Sequence, residues 1–184
     1  MEIYSAFHDF PKEAALVGRI LAEYPELEFE MSQLVGTVLN DKDQAIRIIF
    51  RAKGEETRIR VMDALVRTAL NAVDLKNEYE ATLGAVRHCK SIRNQYAHAH
   101  WYSGNDELVF ANLEESAQTA TGPTFVKIYK IDVPLLTLQE QYMNYVSRWM
   151  YFLIDHYEHR AGRSPTPAVQ APKIIEKPPL YIPQ

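Results

Sequence analysis

The densest chemistry in the chain lies in eight residues, Arg93-Asn94-Gln95-Tyr96-Ala97-His98-Ala99-His100. Arginine keeps its charge at physiological pH and binds phosphate bidentately, and histidine exchanges protons near neutrality. These are the parts that metal-free RNA cleavage needs: a cation for the phosphate, and an acid/base for the ribose 2′-hydroxyl or the leaving oxygen. No Asp or Glu occurs between Ala81 and Asn105, where Arg87, Lys90 and Arg93 stand with His88, His98 and His100. In a chain of net charge −4, that stretch is a local cationic surface suited to a phosphate-bearing partner.

Helical geometry constrains how these groups work together. At ~100° per residue, Asn94 and His98 fall on one side of a helix, while Arg93 and His98 are about 140° apart. Arg93 and His100 nearly coincide in projection if the helix continues that far. One copy of such a helix cannot easily aim Arg93 and His98 at one phosphate. Two copies across a two-fold axis can, so the spacing suggests a homodimer with a shared cleft, provided that the helix runs unbroken through His100. His98 and His100, two residues apart, do not form a helical metal pair, and no second Cys/His cluster completes a zinc site. No metal or cofactor is expected. Cys89 reads as a packed thiol, since no partner arrangement would make it a nucleophile. The seven glycines are scattered at breaks, so no phosphate-cradling loop supports a kinase, GTPase or dinucleotide reading.

The elements that must position this segment read as helices. Leu16, Val17, Ile20, Leu21 and Tyr24 recur at helical spacing, and Leu27, Met31, Leu34, Val35 and Val38 continue the pattern beyond Pro25, which should kink the helix or open a new one. Asn40-Asp41 and Lys53-Gly54 mark breaks around a short helix through Ala45, Ile49 and Phe50. A longer helix follows from Ile59 to Val73. Asp74 can cap a fourth helix running toward Trp101, and Tyr102–Asp106 is a turn cluster. Residues 106–133, with the β-branched and aromatic run Phe125, Ile128 or Tyr129, Ile131 and Val133 after Thr121-Gly122-Pro123, suggest a β-hairpin or arm. Thr137-Leu138-Gln139-Glu140 fits a capping box for the last helix, which ends near Gly162. That helix carries Tyr142, Tyr145, Trp149, Tyr151, Phe152 and Tyr157 on more than one side, as a helix with both a core face and an interface does.

Residues 163–184 change character. Six of the ten prolines lie there and no helical period survives, so an extended tail with polyproline character is expected. Such termini are commonly mobile. Ile174, Ile175, Leu180, Tyr181 and Ile182 nevertheless give this one apolar side chains suited to docking. With 184 residues, 47% of them hydrophobic, one domain over 1–162 plus the tail is the economical division. A single cysteine, the absence of a basic-then-apolar leader, and an apolar stretch at Trp149–Ile154 far short of the ~20 residues of a membrane span point to a cytoplasmic protein with no membrane association.

The Arg93-Asn94-Gln95-Tyr96-Ala97-His98 segment resembles the Arg-x4-6-His motif of the HEPN superfamily, with a polar residue after the arginine; His100 also meets the longer spacing. The resemblance implies an all-α, HEPN-like bundle of about five helices, here with a small β-hairpin insertion and a Pro-rich tail, usually dimeric with the motif at the dimer cleft. It further implies a metal-independent endoribonuclease, with a toxin or defence role and an antitoxin or partner protein among the expectations. In that reading Arg93 binds the scissile phosphate, His98 is the acid/base, leaving a 2′,3′-cyclic phosphate, and Asn94 orients the phosphate or imidazole. His100 is a second proton carrier, and Arg87 and Lys90 track the RNA backbone. The alternative is a non-catalytic HEPN module that binds a nucleotide or a protein. A third reading is a structural dimer in which Arg93 pairs with a carboxylate such as Glu80 or Asp74.

Overall fold

A computed structural model describes residues 6–104, 107–119 and 126–182. After a 3-10 turn at Ala6–His8 the chain forms α1 (Pro11–Leu39), α2 (Lys42–Arg51), α3 (Glu55–Ala72), α4 (Lys76–Ala97), β1 (His100–Gly104), β2 (Glu107–Ala111), α5 (Leu113–Thr119), β3 (Ile128–Ile131) and α6 (Val133–Arg160). It is a mostly helical protein with a small antiparallel sheet of order β1-β2-β3. The arm therefore contains more than a hairpin: β1 precedes it, and α5 brings the α-helices of the described residues to six. The Thr121-Gly122-Pro123 lead and Phe125 lie outside the described residues.

Three helix ends share one device. Asn40, Asp74 and Gly162 all have positive φ (55°, 59° and 71°) just past a helix. In each case the following N–H reaches back along the helix: Asp41 to the Gly36 carbonyl, Leu75 to that of Leu70, and Arg163 to that of Glu158. This is the Schellman closure, which satisfies carbonyls that a helix end would otherwise leave bare. Asp74 consequently ends α3 and does not cap α4. After Asn40, Asp41 starts α2 by accepting the Gln44 N–H at 2.9 Å. Gly36 is required by close approach, since a Cβ there would stand 2.9 Å from the Lys42 Cα.

Pro25 lies inside α1 without ending it. It is on the exposed side, where the carbonyl that loses its N–H partner can be hydrated, while Tyr24 and Leu27 on either side are buried. The last helix starts four residues before the expected capping box. Asp132 accepts the Leu135 N–H at 2.9 Å, and Pro134 occupies the first turn, where no N–H is needed. Thr137 is thus interior, and its hydroxyl donates back to the Val133 carbonyl.

The chain divides into two compact units. One comprises Met1–Ala22, Ser91–Tyr142 and Lys177–Gln184. Its core includes Ile20, Ile92, Tyr96, Phe110, Ile131 and Leu136. The other comprises Glu23–Lys90 and Met143–Glu176. It buries Met31, Leu34, Ile49, Met62, Leu70, Val86 and Leu153, each fully enclosed. At about 1.5–3 kcal/mol per buried aliphatic side chain, such residues dominate the stability of each unit. No helix among the described residues is long and apolar enough to cross a membrane.

Candidate functional site

The fourth helix stops at Ala97, so His98 lies in a turn, Ala99 in the link, and His100-Trp101 in β1. Aromatic packing accounts for the early stop. Trp101 sits 4.8 Å from Phe7, 5.8 Å from Tyr96 and 5.4 Å from Phe110, ring centre to ring centre, and Phe110 is its cross-strand partner. Phe110 is in turn paired across the sheet with Tyr129, at 5.4 Å. Cross-strand aromatic pairs stabilise a sheet by roughly 0.2–1 kcal/mol each. A continued helix would forgo these contacts. The expected alignment of Arg93 with His100 on one helix side is therefore absent, and with it the spacing argument for a dimer, which needed an unbroken helix through His100.

The aromatic row extends onto the tail. Tyr181 lies 4.4 Å from Tyr129, and the Ile182 N–H donates to the Lys130 carbonyl at 3.0 Å, an isolated antiparallel bridge on the outer edge of β3. Two glutamines hold the tail from the other side. Gln95 donates to the Leu180 carbonyl at 2.7 Å, and Gln139 donates to those of Pro179 and Leu180 at 2.8 and 3.1 Å. The end of the tail is thus docked, as its apolar side chains suggested. Ile174, by contrast, is exposed. Farther back, Asp155 accepts the Ala168 and Val169 N–H groups, and the His156 ring bonds the Val169 carbonyl.

Tail, sheet and α4 enclose a pocket of about 380 Å³. Ser91, Asn94, Gln95 and His98 of the motif segment line it together with Phe110, Asn112 and Tyr129 from the sheet region and Leu180 and Tyr181 from the tail. The volume falls in the ~300–1,000 Å³ range of small-molecule sites. Asn94 and His98 share this pocket, as their four-residue spacing predicts. His98 is exposed, with Nδ1 4.0 Å from the Glu114 carboxylate. That separation is too long for a hydrogen bond, and the two groups are open to solvent, so the pair adds little stability. Arg93 is not among the lining residues. It is half-buried and donates to Asn94 Oδ1 at 2.9 Å, which leaves the Asn94 amide hydrogens as the donor face of that side chain. His100 is exposed on β1 and does not line the pocket.

The two proposed RNA-tracking cations belong to the other unit. Lys90 is engaged there by the Glu56 carboxylate, and its ammonium holds the Glu56 carboxyl below the usual carboxylate range. Arg87 is exposed. Glu80 is bonded by Arg67 at 3.1 Å, and Asp74 is approached by Arg160 at 4.0 Å. Cys89 is fully enclosed, and burial pushes its thiol well up, as expected of a packed cysteine. No group of three His, Cys, Asp or Glu side chains placed to hold a metal occurs among the described residues.

Ser91 and Gln95 extend the Asn94–His98 stripe at helical spacing and were readable as such. Asn112, Tyr129 and Tyr181 come from distant sequence and needed the fold. Comparison with family models, curated protein sequences and solved structures gives no match.

Proposed function

We propose that the protein is a metal-independent endoribonuclease of HEPN type, acting at the pocket that Asn94 and His98 share, with a homodimer completing the site. The observation that carries this reading is the linked trio: Arg93 bonded to Asn94, and Asn94 lining with His98 a pocket of about 380 Å³. The reaction is a transesterification. The ribose 2′-oxygen bonds to phosphorus, the bond from phosphorus to the 5′-oxygen breaks, one proton leaves the 2′-hydroxyl and one reaches the 5′-oxygen. His98 serves one of these transfers, and the Asn94 amide donates to a phosphate oxygen as charge builds on it. Because Arg93 lies outside the lining, its charge reaches the phosphate through Asn94 or from the partner copy's side of a shared cleft. A toxin or defence role is the biological setting this activity fits.

A second reading, a non-catalytic HEPN module binding a nucleotide or protein, is favoured by the docked tail, which makes part of the pocket wall. The two are separated by incubating a mixed RNA pool in excess EDTA with wild type, His98→Ala and Arg93→Ala. Cleavage by wild type only, leaving 2′,3′-cyclic phosphate ends, supports the nuclease. Absence of cleavage by folded wild type, or undiminished cleavage by His98→Ala, overturns it.

A further inference from the structure

Tyr181 is the element of the pocket that the motif does not explain. It reaches the site from the tail, 83 residues after His98, and lines two cavities at once: the pocket with His98, and a neighbouring one of about 570 Å³ walled by Val126, Ile128 and Ile182. Its ring continues the row of Phe110 and Tyr129, yet it is 40% exposed, whereas Phe110 is buried. The backbone on both sides of it is fixed, by Gln95 and Gln139 on the Leu180 carbonyl and by Lys130 on the Ile182 N–H. A partly exposed ring on an immobilised backbone, lining one pocket with hydroxyl, amide and imidazole groups, has the makings of a base-binding subsite. Unpaired RNA bases are held in this way, one face on an aromatic ring and the edges on polar side chains.

We propose that Tyr181 stacks on one unpaired nucleobase of RNA in this pocket, with Ser91, Gln95 and Asn112 lining its edge, so that the docked tail is a working part of the binding site. The inference rests on the proposed ribonuclease reading for the polymer but not for the base itself. Tyr181 would then select where RNA is engaged, on single-stranded segments, while His98 acts on the phosphate next to that base.

The test is binding of the four nucleoside 3′-monophosphates to the full chain by calorimetry and by NMR of the base protons. It compares wild type with Tyr181→Ala and Tyr181→Phe. Stacking predicts upfield shifts of the base protons, at least about tenfold weaker binding in Tyr181→Ala, and retention in Tyr181→Phe. Limited proteolysis of the tail checks that both variants keep it docked. If none of the four nucleotides binds wild type, or if Tyr181→Ala with a docked tail binds them undiminished, the inference is overturned. Nucleotide binding without any RNA cleavage sustains the inference while removing the nuclease. RNA cleavage whose site preference and rate ignore Tyr181→Ala does the reverse.

Discussion

The Tyr96 hydroxyl donates to Gln139 Oε1 at 2.6 Å, and both side chains are buried. Tyr96 belongs to the motif segment of α4 and Gln139 to α6, and the other end of the same amide holds the Pro179 and Leu180 carbonyls. One side chain thus ties the motif helix to the tail. Burial also pushes the Tyr96 phenol well above its ordinary range, so it remains a donor at any working pH.

Gln139→Ala should therefore do two things. It leaves the Tyr96 hydroxyl without its acceptor, a loss of about 1–3 kcal/mol, and it removes two of the three side-chain bonds to the Pro179 and Leu180 carbonyls at the end of the tail. Denaturant unfolding should show the first. Cleavage by trypsin after Lys173, faster than in wild type while the folded body survives, should show the second. A tail equally resistant in the variant would mean that Gln95 and the Ile182 bridge suffice.

Glycines in the long helices should respond in opposite directions. At Gly18 and Gly84 nothing lies within 4 Å of the place a methyl would take, so Gly18→Ala and Gly84→Ala should each raise stability by about 0.5–1 kcal/mol through helix propensity. Gly36→Ala faces the Lys42 backbone at 2.9 Å and Ala45 Cβ at 3.4 Å. Overpacking of this kind costs about 1–3 kcal/mol and outweighs the propensity gain. Thermal melts of the three variants decide it; a stabilised Gly36→Ala would mean that α2 shifts freely on α1.

How much of this was legible beforehand varies by the range of the interaction. The stripe Leu16, Val17, Ile20, Tyr24 and its continuation to Val35 gave α1 directly, because 3.6-residue periodicity is a local signal. Pro25 left a kink or a new helix open, and the helix continues through it at an exposed position, where water can replace the lost hydrogen bond. Asp74 looked like a cap, yet the same short polar side chain tolerates positive φ, and the Leu75 N–H closing on the Leu70 carbonyl decided for a helix end. The stop at Ala97 depends on Phe7, far from Trp101 in sequence, and on Phe110, which the strand pairing rather than any local period sets against it. For the site, Asn94 and His98 were readable from their spacing alone. Tyr129 and Tyr181 were not, since nothing local marks a tail tyrosine for a ring on β3 fifty-two residues earlier.

Glu30 should make stability depend on pH. It is almost fully enclosed, with one oxygen accepting the Ser147 hydroxyl at 2.6 Å, and burial, aided by the neighbouring Glu26 charge, raises its carboxyl above the ordinary 4.5. The folded state thus holds this proton more tightly than the unfolded chain does. The stabilising contribution is complete below about 4.5 and is lost as pH rises through the raised value. Glu30→Gln keeps an acceptor for Ser147 and removes the charge. It should raise the denaturation midpoint at pH 7 and have little effect near pH 4. A midpoint lowered equally at both pH values would show that shape, not charge, governs the position.

The Arg93–Asn94 bond permits a direct test of how the arginine acts. If Arg93 works by holding Asn94 Oδ1, so that the amide hydrogens face the phosphate, the two residues form one unit. Arg93→Ala and Asn94→Ala should then each slow RNA cleavage by about 10²- to 10³-fold, the usual cost of losing a transition-state donor. The double variant should be no slower than the worse single one, because the second substitution removes an interaction already lost. If Arg93 instead contacts the phosphate itself, from across a dimer cleft, the two losses should multiply. Mixing Arg93→Ala with His98→Ala protein adds the deciding arm. Shared clefts regain a site with both wild-type residues in mixed dimers, so activity returns; sites confined to one chain stay dead at every mixing ratio.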